Sequence, residues 1–348
     1  MEKVLAYDSF LQDTKNIFKS KPELLFLKNG LRKLEEFLKN FSENLSDILS
    51  NSVKSTLNAG GKRIRPSLLL ISAKNENYNL DYLIPAAAAI EMIHTASLIH
   101  DDIIDKSELR RGKKTLHKIY DRDTAKFVGD YLLTQTFYLL SNYEIPEILL
   151  ETSKAASLLV KGEFNQLKTK KKLNQNENDY IEKIYEKTSS LFKLSCLIGG
   201  ILSKSNNEDI EKLIKFGELI GISFQINDDL LDINLRNSSK NIGKPIGNDL
   251  KQGDITLPFI YGNENPDFKK QFKNFIAKNN FTSEEFKKLL SLLDVTGAVK
   301  RTEEKLYFYL DQAKKIAYSI SGNQRRKALL AICDLIAVTY KAIDKSNS

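Results

Sequence analysis

Two aspartate triplets carry the clearest chemistry in this chain: Leu98-Ile-His-Asp-Asp-Ile-Ile-Asp105 and Gln225-Ile-Asn-Asp-Asp-Leu-Leu-Asp232. On a helix, Asp101 and Asp105 stand one turn apart and project from one face, and Asp228 and Asp232 do the same. His94 and Ser97 continue the first stripe towards the N-terminus. Phe224 lies one turn before Asp228, with Gln225 beside it. A lone D-D-x-x-D is most simply a solvated acidic turn. Here each triplet is set in an otherwise apolar helix, where acids need partners, and its like charges repel across a single turn. A hard divalent cation answers both problems. Mg²⁺ takes oxygen ligands, keeps some waters and bridges carboxylates to phosphates. Two facing triplets would hold a small Mg²⁺ cluster on one diphosphate.

The cations point to a second anion. Arg makes up only ten of the 53 basic residues, yet four of the ten fall in two tight groups, Arg63 with Arg65 and Arg110 with Arg111. A chain that otherwise prefers Lys has placed the planar fork where phosphate would be gripped. The first group lies in Gly60-Gly-Lys-Arg-Ile-Arg-Pro66, which also brings Lys62. Its Gly and Lys spacing is not that of a nucleotide P-loop, and no strand precedes it. Lys187-Thr188 and the Lys244 of Gly243-Lys-Pro add polar groups, although a mid-chain Lys taken alone is usually just solvated.

Helices must position these groups. Apolar residues recur at three- and four-residue spacing in Ile181 to Leu202, Ile210 to Ile233 and Val299 to Ile320. Only seven Pro occur, none between Pro146 and Pro245. Pro85 reads as the first residue of a helix running through Asp105, and Pro146 opens another. No alternating β-branched run stands out. Turn signals gather at Asn58 to Pro66, Lys106 to Thr115, Lys168 to Asn178 and Arg236 to Pro258; the third reads as a mobile polar loop without assignable chemistry. The expectation is one all-α domain over residues 1–348, with variable N-terminal helices in 1–45.

Composition narrows the classes. The formal charge of +8 comes mainly from Lys spread beside Glu and Asp, which reads as a solvated surface and not a nucleic-acid site. The apolar run Ile84 to Met92 is too short to cross a bilayer. The first residues show neither a signal nor a transit pattern. Cys196 and Cys333 lie far apart without metal-ligand spacing, which fits a reducing compartment, with the cytoplasm as the expected location.

Taken together, the motifs resemble the trans-isoprenyl diphosphate synthases, in particular the medium- and long-chain polyprenyl diphosphate synthases. From about Gly60 to Ile343 they arrive in that family's order: G-G-K-R-I-R-P, E-M-I-H-T-A-S-L-I-H-D-D-I-I-D, R-R-G, G-D-Y-L-L, G-E-F-N-Q-L, K-T-S-S-L-F, F-Q-I-N-D-D-L-L-D and G-K-P-I-G-N-D-L. The resemblance implies packed antiparallel helices around a deep central cavity, usually in a homodimer. It assigns Asp101, Asp105, Asp228 and Asp232 to Mg²⁺, and counts Asp102 and Lys187 with Asp101, Asp105 and Asp228 as catalytic. Arg110, Lys187, Thr188, Gln225 and Lys244 match positions that hold the allylic diphosphate. Lys62, Arg65, His94 and Arg111 match the isopentenyl diphosphate site. Asn227 stands where an apolar residue is commoner.

The implied reaction is addition of isopentenyl diphosphate to an allylic diphosphate. In the resembling family, bulky aromatics at the positions of Ala96 and Ser97 form the floor of short-product enzymes. Both are small here, so a product longer than four isoprene units is expected, with a quinone side chain as the family's natural use for it. A terpene cyclase would share the D-D-x-x-D helix but needs no second diphosphate site. A non-catalytic partner of a heteromeric synthase would be expected to lose carboxylates, and this chain keeps both triplets.

Overall fold

The helix that carries the first triplet starts earlier than its proline implied. In the computed structural model, which describes residues 21–58, 61–233, 247–278 and 281–344, this helix spans Leu80–Ile104 with Pro85 inside it. The Asn79 side chain caps it, accepting from the backbone N–H groups of Asp81 and Tyr82. Pro85 disturbs the hydrogen-bond ladder of the first turns, and the Tyr143 hydroxyl mends it from outside. That hydroxyl donates to the Tyr82 carbonyl at 2.6 Å and accepts from the Ala86 N–H at 3.1 Å.

The helices are, in chain order, α1 (Leu27–Glu43), α2 (Asp47–Leu57), α3 (Ile64–Ser72), α4 (Leu80–Ile104), α5 (Leu116–Ile119), α6 (Arg122–Ser141), α7 (Pro146–Thr169) and α8 (Glu177–Ile184). They continue as α9 (Ser190–Leu202), α10 (Asn207–Asp232), α11 (Asn248–Lys251), α12 (Leu257–Gly262), α13 (Pro266–Ala277), α14 (Ser283–Val295), α15 (Ala298–Ser319) and α16 (Asn323–Asp344). The start of α7 at Pro146 and the helices over 181–202, 210–233 and 299–320 agree with the sequence pattern. The strand-free expectation needs one correction, a two-residue ribbon of β1 (Leu109–Arg110) and β2 (Lys113–Lys114), paired antiparallel.

The chain divides into two compact units. One comprises residues 1–157, 191–217 and 316–332; the other comprises 158–190, 218–315 and 333–348. In the first, α4 is the central element, packed most extensively against α6 and also against α1 and α3. Ala86, Ala87, Ala88 and Ala89 have no exposed surface, and such small residues let neighbouring helices come close. By length and composition α4 is able to cross a bilayer, more so than its Ile84 to Met92 run indicated, but most of it is buried inside the protein. That is the signature of a core helix. The far end of α3 is held by Arg325, which donates to the Ser72 carbonyl and pairs with buried Asp209 at 2.6 Å.

In the second unit, stacked rings fill the core: Phe259 and Phe268 lie 5.2 and 5.4 Å from the ring of Phe272. The turn between α7 and α8, read from sequence as mobile, is anchored. The Lys171 N–H donates to the Gly253 carbonyl at 2.8 Å, and Asn263 donates to the Leu173 carbonyl at 2.6 Å. Asn176 then closes a capping box with Asp179 that starts α8. From Tyr185 to Ser189 the helix widens into a single π-turn before α9 begins.

Candidate active site

In the first unit the triplet sits at the C-terminal end of α4. Asp101 and Asp105 are half-buried and Asp102 is buried. The Asp105 N–H donates to the Asp101 carbonyl, so Asp105 closes the last turn one step above Asp101. Asp102 faces another way. Its carboxylate accepts the Nε–H of Arg110 at both oxygens, 2.9 and 2.8 Å. The R-R-G motif makes this possible, because Arg111 and Gly112 have φ values of 53° and 74°. Two positive φ values in a two-residue hairpin loop are the twist that matches antiparallel strands. A Cβ at Gly112 would meet nothing within 4 Å, so the glycine is there for its backbone.

Arg111 folds back onto the G-G-K-R-I-R-P loop. A Cβ on Gly61 would lie 2.9 Å from the Arg111 Nη1, so the bare backbone leaves room for the guanidinium. Arg65 lies on the first turn of α3 and donates from Nη1 to the Nε2 of His94 at 3.1 Å. Its guanidinium also stacks 4.8 Å from the centre of the Phe192 ring. Burial, followed by the charges of Arg65, Arg111, Arg110 and Arg63, pushes the His94 pKa well below the imidazole range. His94 is therefore neutral, with Nε2 as the acceptor. A small cavity in this unit is lined by Arg63, Glu91, Asp102, Arg110 and Arg111, among others. Lys62 is exposed beside it in sequence.

Arg63 corrects the reading of the first arginine pair. It is 4% exposed and adopts a left-handed backbone. Its guanidinium is held by Glu35 at 2.7 Å, Glu91 at 2.5 Å and the Leu57 carbonyl at 2.6 Å. Burial disfavours its charge, but Glu91 and Glu35 more than offset this and raise its pKa above the usual guanidinium value. Arg63 is thus an internal strut, whereas Arg65, two residues on, is half-buried and turned to His94 and Phe192. Ala96 is buried and Ser97 half-buried, with the Ser97 hydroxyl donating to the His94 carbonyl at 2.8 Å.

In the second unit, Lys187 and Thr188 lie on the π-turn, a deformation that recurs at functional sites. Lys187 pairs with Glu163 at 2.6 Å and donates to the Gln166 side-chain carbonyl at 2.5 Å. Thr188 donates to Gln225, Gln225 donates to Asp229, and the Tyr180 hydroxyl donates to the other oxygen of Asp229 at 2.6 Å. Asp228 is exposed and Asp232 half-buried; the Asp249 N–H donates to the Asp232 carboxylate at 3.3 Å. Asn227 is buried, and its Oδ1 has no hydrogen-bond partner. Lys244 and its G-K-P-I segment lie outside the described residues.

This second triplet gathers negative charge. Burial pushes Asp229 up to about 7, assisted by Asp228 and Asp254 and opposed by the hydrogen bonds from Tyr180 and Gln225. Asp249 is raised well above the carboxylate range by burial and by Asp232. Among the described residues no group of three or more His, Cys, Asp or Glu side chains is gathered closely enough to hold an ion alone. Paired carboxylates in a repulsive acidic field suit a hard divalent cation whose shell is completed by water and substrate oxygens. Each unit by itself offers such a pair, Asp101 with Asp105 in the first and Asp228 with Asp232 in the second.

The family model for polyprenyl synthetases matches residues 46–293. This chain belongs to the polyprenyl synthetase family. It is 33% identical over 321 residues to the heptaprenyl diphosphate synthase component 2 of Bacillus subtilis, covering 92% of this chain and 91% of that one. It is 35% identical to the short chain isoprenyl diphosphate synthase of Methanocaldococcus jannaschii, covering 80% and 86%. It also superposes on the crystal structure of the polyprenyl synthase of Caulobacter crescentus, complexed with calcium and isoprenyl diphosphate. The TM-score is 0.82 at 28% identity, with 90% and 96% coverage. This polyprenyl synthetase is accordingly a prenyltransferase with an all-helical isoprenoid synthase fold. Its family binds a divalent metal with diphosphate substrates.

Several groups around these side chains were not singled out from the sequence. Glu163 and Gln166, which hold Lys187, were visible only inside the G-E-F-N-Q-L motif. A Cβ on Gly162 would lie 2.9 Å from the Lys187 backbone nitrogen, which explains why glycine precedes that pair. Tyr180, Lys183 and Asp254 carried no sequence signal beyond their types, and Asp229 was visible only as the middle residue of the second triplet.

Proposed function

We propose that this polyprenyl synthetase adds isopentenyl diphosphate head-to-tail to an allylic diphosphate, with Mg²⁺, and repeats the step past four isoprene units. The observation that carries the reading is the cationic centre in the first unit. Arg65 is fixed by neutral His94 and Phe192, and Arg111 is folded against Gly61. A cyclase of this fold needs no such site for a second diphosphate.

In this reading Lys62, Arg65, His94 and Arg111 hold isopentenyl diphosphate. Arg110, Lys187, Thr188, Gln225 and Lys244 hold the allylic starter. Asp101, Asp105, Asp228 and Asp232 are the ligands for the cation. A bound divalent cation supplies neutralisation of the charge that builds on the leaving diphosphate. Arg110 and Lys187 add fixed positive charge to the same group. Asp102 keeps Arg110 in place, its two oxygens sharing the Arg110 Nε–H. As the carbon–oxygen bond breaks, the double bond of isopentenyl diphosphate attacks the allylic cation, a new carbon–carbon bond forms and a proton is lost. The released diphosphate is the base for that proton. Apolar walls keep water from quenching the cation.

Small Ala96 and Ser97 support the long product, for which a quinone side chain is the natural use. The single catalytic domain works in the cytoplasm as a homodimer. Support for the dimer comes from apolar side chains on outward faces: Phe127 and Tyr138 on α6, and Leu150, Val160, Phe164 and Leu167 on α7, all at least 42% exposed. The α7 set follows coiled-coil spacing.

The test is the mass of the extracted product after reaction with isopentenyl diphosphate, an allylic starter and Mg²⁺. Products that stop at three or four units would overturn the length, and an absence of condensation would overturn the class. The name of the Bacillus subtilis relative, a component 2, favours one second reading, a two-chain enzyme. Sedimentation of an active, purified single chain as a dimer decides against it.

A further inference from the structure

The Lys187 ammonium is the end of a longer chain of polar contacts, and the far end has no place in the reaction described so far. Lys187 donates to the Gln166 carbonyl oxygen at 2.5 Å. The Gln166 amide nitrogen donates to one oxygen of Asp254 at 2.6 Å. The other oxygen of Asp254 accepts from Lys183 at 2.6 Å. Lys183 is 7% exposed and Gln166 also 7%, so both heads lie where unpaired polar groups are expensive. All four residues belong to one unit.

The donor rules leave one arrangement. An ammonium only donates and a carboxylate only accepts, so the Gln166 amide must turn its oxygen to Lys187 and its nitrogen to Asp254. Turned the other way, the amide would present N–H groups to an ammonium and its oxygen to a carboxylate. Asp254 therefore decides which face of Gln166 meets Lys187. Glu163 pairs with Lys187 at 2.6 Å; Gln166 holds the same ammonium without adding negative charge. The lysine is fixed in direction while it keeps positive charge to offer an anion. Lys183, one turn before Lys187, balances the charge of Asp254, so that this carboxylate does not act on Lys187 as a further counter-ion.

We infer that Asp254, acting through the Gln166 amide and balanced by Lys183, is a positioning residue for the lysine that grips the starter's diphosphate. The inference rests on the reading of Lys187 as a ligand of the allylic diphosphate. Asp254→Asn and Gln166→Met are each expected to raise the KM for the allylic starter roughly ten- to a hundredfold, the size of a lost charge-assisted hydrogen bond. The KM for isopentenyl diphosphate stays within about twofold in both, because no residue of that site belongs to the chain of contacts.

The experiment measures both KM values, kcat and Tm for the full chain with Mg²⁺, in Asp254→Asn, Gln166→Met, their double variant and Lys187→Ala. In Asp254→Asn the buried Lys183 loses its counter-charge, which can unfold the protein. Asp254→Asn combined with Lys183→Met removes both charges and replaces the single variant in that event. The double Asp254→Asn/Gln166→Met is expected to be no worse than either single change, since both cut one chain of contacts. A merely structural role would lower Tm, raise both KM values alike and make the double effect the product of the singles; that pattern overturns the inference. An unchanged starter KM in Asp254→Asn or Gln166→Met, beside a raised one in Lys187→Ala, overturns the inference and leaves the role of Lys187 standing. An unchanged starter KM in Lys187→Ala overturns both.

Discussion

Gly162→Ala isolates the packing that sets Lys187. A Cβ there would lie 2.9 Å from the Lys187 nitrogen, 3.0 Å from the Glu186 Cβ and 3.2 Å from the Lys187 Cα. Carbon contacts are comfortable from about 3.5 Å, so relief needs roughly 0.5 Å of movement. Two of the three obstructing atoms are backbone and the third is a Cβ, and no rotamer change removes any of them. The strand of contacts must give as a whole: α7 has to move away from the π-turn. Overpacking of this kind costs about 1–3 kcal/mol, or a Tm loss of roughly 2 °C per kcal/mol in a chain of this length. The functional effect is larger than the structural one. A misplacement of about 1 Å at a reacting group costs about a hundredfold, and half of that about tenfold. Steady-state assays should therefore show kcat/KM for the allylic starter falling about tenfold, in protein that is still fully helical by circular dichroism. Gly262→Ala is the control, because its Cβ would press 2.4 Å from Leu293 Cδ1 and 3.1 Å from Phe268 Cε1, away from every assigned ligand. It should lose stability while keeping kcat/KM within about twofold. A Gly162→Ala enzyme with the expected Tm loss and wild-type kcat/KM would refute the argument that this spacing places Lys187.

Asp101→Ala or Asp228→Ala should lower kcat by at least about a hundredfold in saturating Mg²⁺, with the helical spectrum retained; near-normal rates would remove the metal assignment. Lys62→Ala and Arg65→Ala should raise the KM for isopentenyl diphosphate far more than that for the starter, and Arg110→Ala the reverse, together with a Tm loss because Asp102 is stranded. Ala96→Tyr or Ser97→Phe should shorten the product, read by mass, while sparing the first condensation. His94 gives the pH test. Its folded pKa lies below its unfolded value of about 6.5, so the unfolded chain takes the proton first as pH falls. Its contribution is complete above about pH 6.5 and is lost as pH drops from there towards the folded value. Tm followed from pH 7.5 down to 5 should fall more steeply for wild type than for His94→Gln, and parallel curves would count against a neutral His94.

The helices themselves were legible because a 3.6-residue apolar period survives in the sequence wherever one face is buried. The start of α4 was not, since the repair of its proline comes from Tyr143, a residue on neither the helix nor its flanks. Arg63 and Arg65 show a second limit. They are the same residue type two positions apart, and only the left-handed backbone at Arg63 sends one inward to Glu35 and Glu91. Asp101 and Asp105 were readable from spacing, whereas the turn of Asp102 towards Arg110 depends on a hairpin whose shape is fixed by two positive φ angles. Lys183 and Asp254 are 71 residues apart in the chain, and nothing local in either stretch names its partner.

The π-turn at Tyr185–Ser189 has a consequence for how the gene can drift. An i→i+5 turn is one extra residue wound into an otherwise continuous helical run. Removing one residue there would restore ordinary winding and leave the following helix facing as before, whereas removing one from the regular turns of α9 would turn everything after it by about 100°, the angle of one step in a 3.6-residue helix. Leu191, Phe192, Leu194, Cys196, Leu197 and Ile198 downstream are all buried, so that rotation would exchange a whole set of interior contacts at once. Codon-sized deletions are therefore barred between Ser190 and Leu202. The polar turn at Lys171–Gln175, only a few codons upstream, is bound at discrete points and has slack between them, so length variation in this stretch of the gene is channelled there.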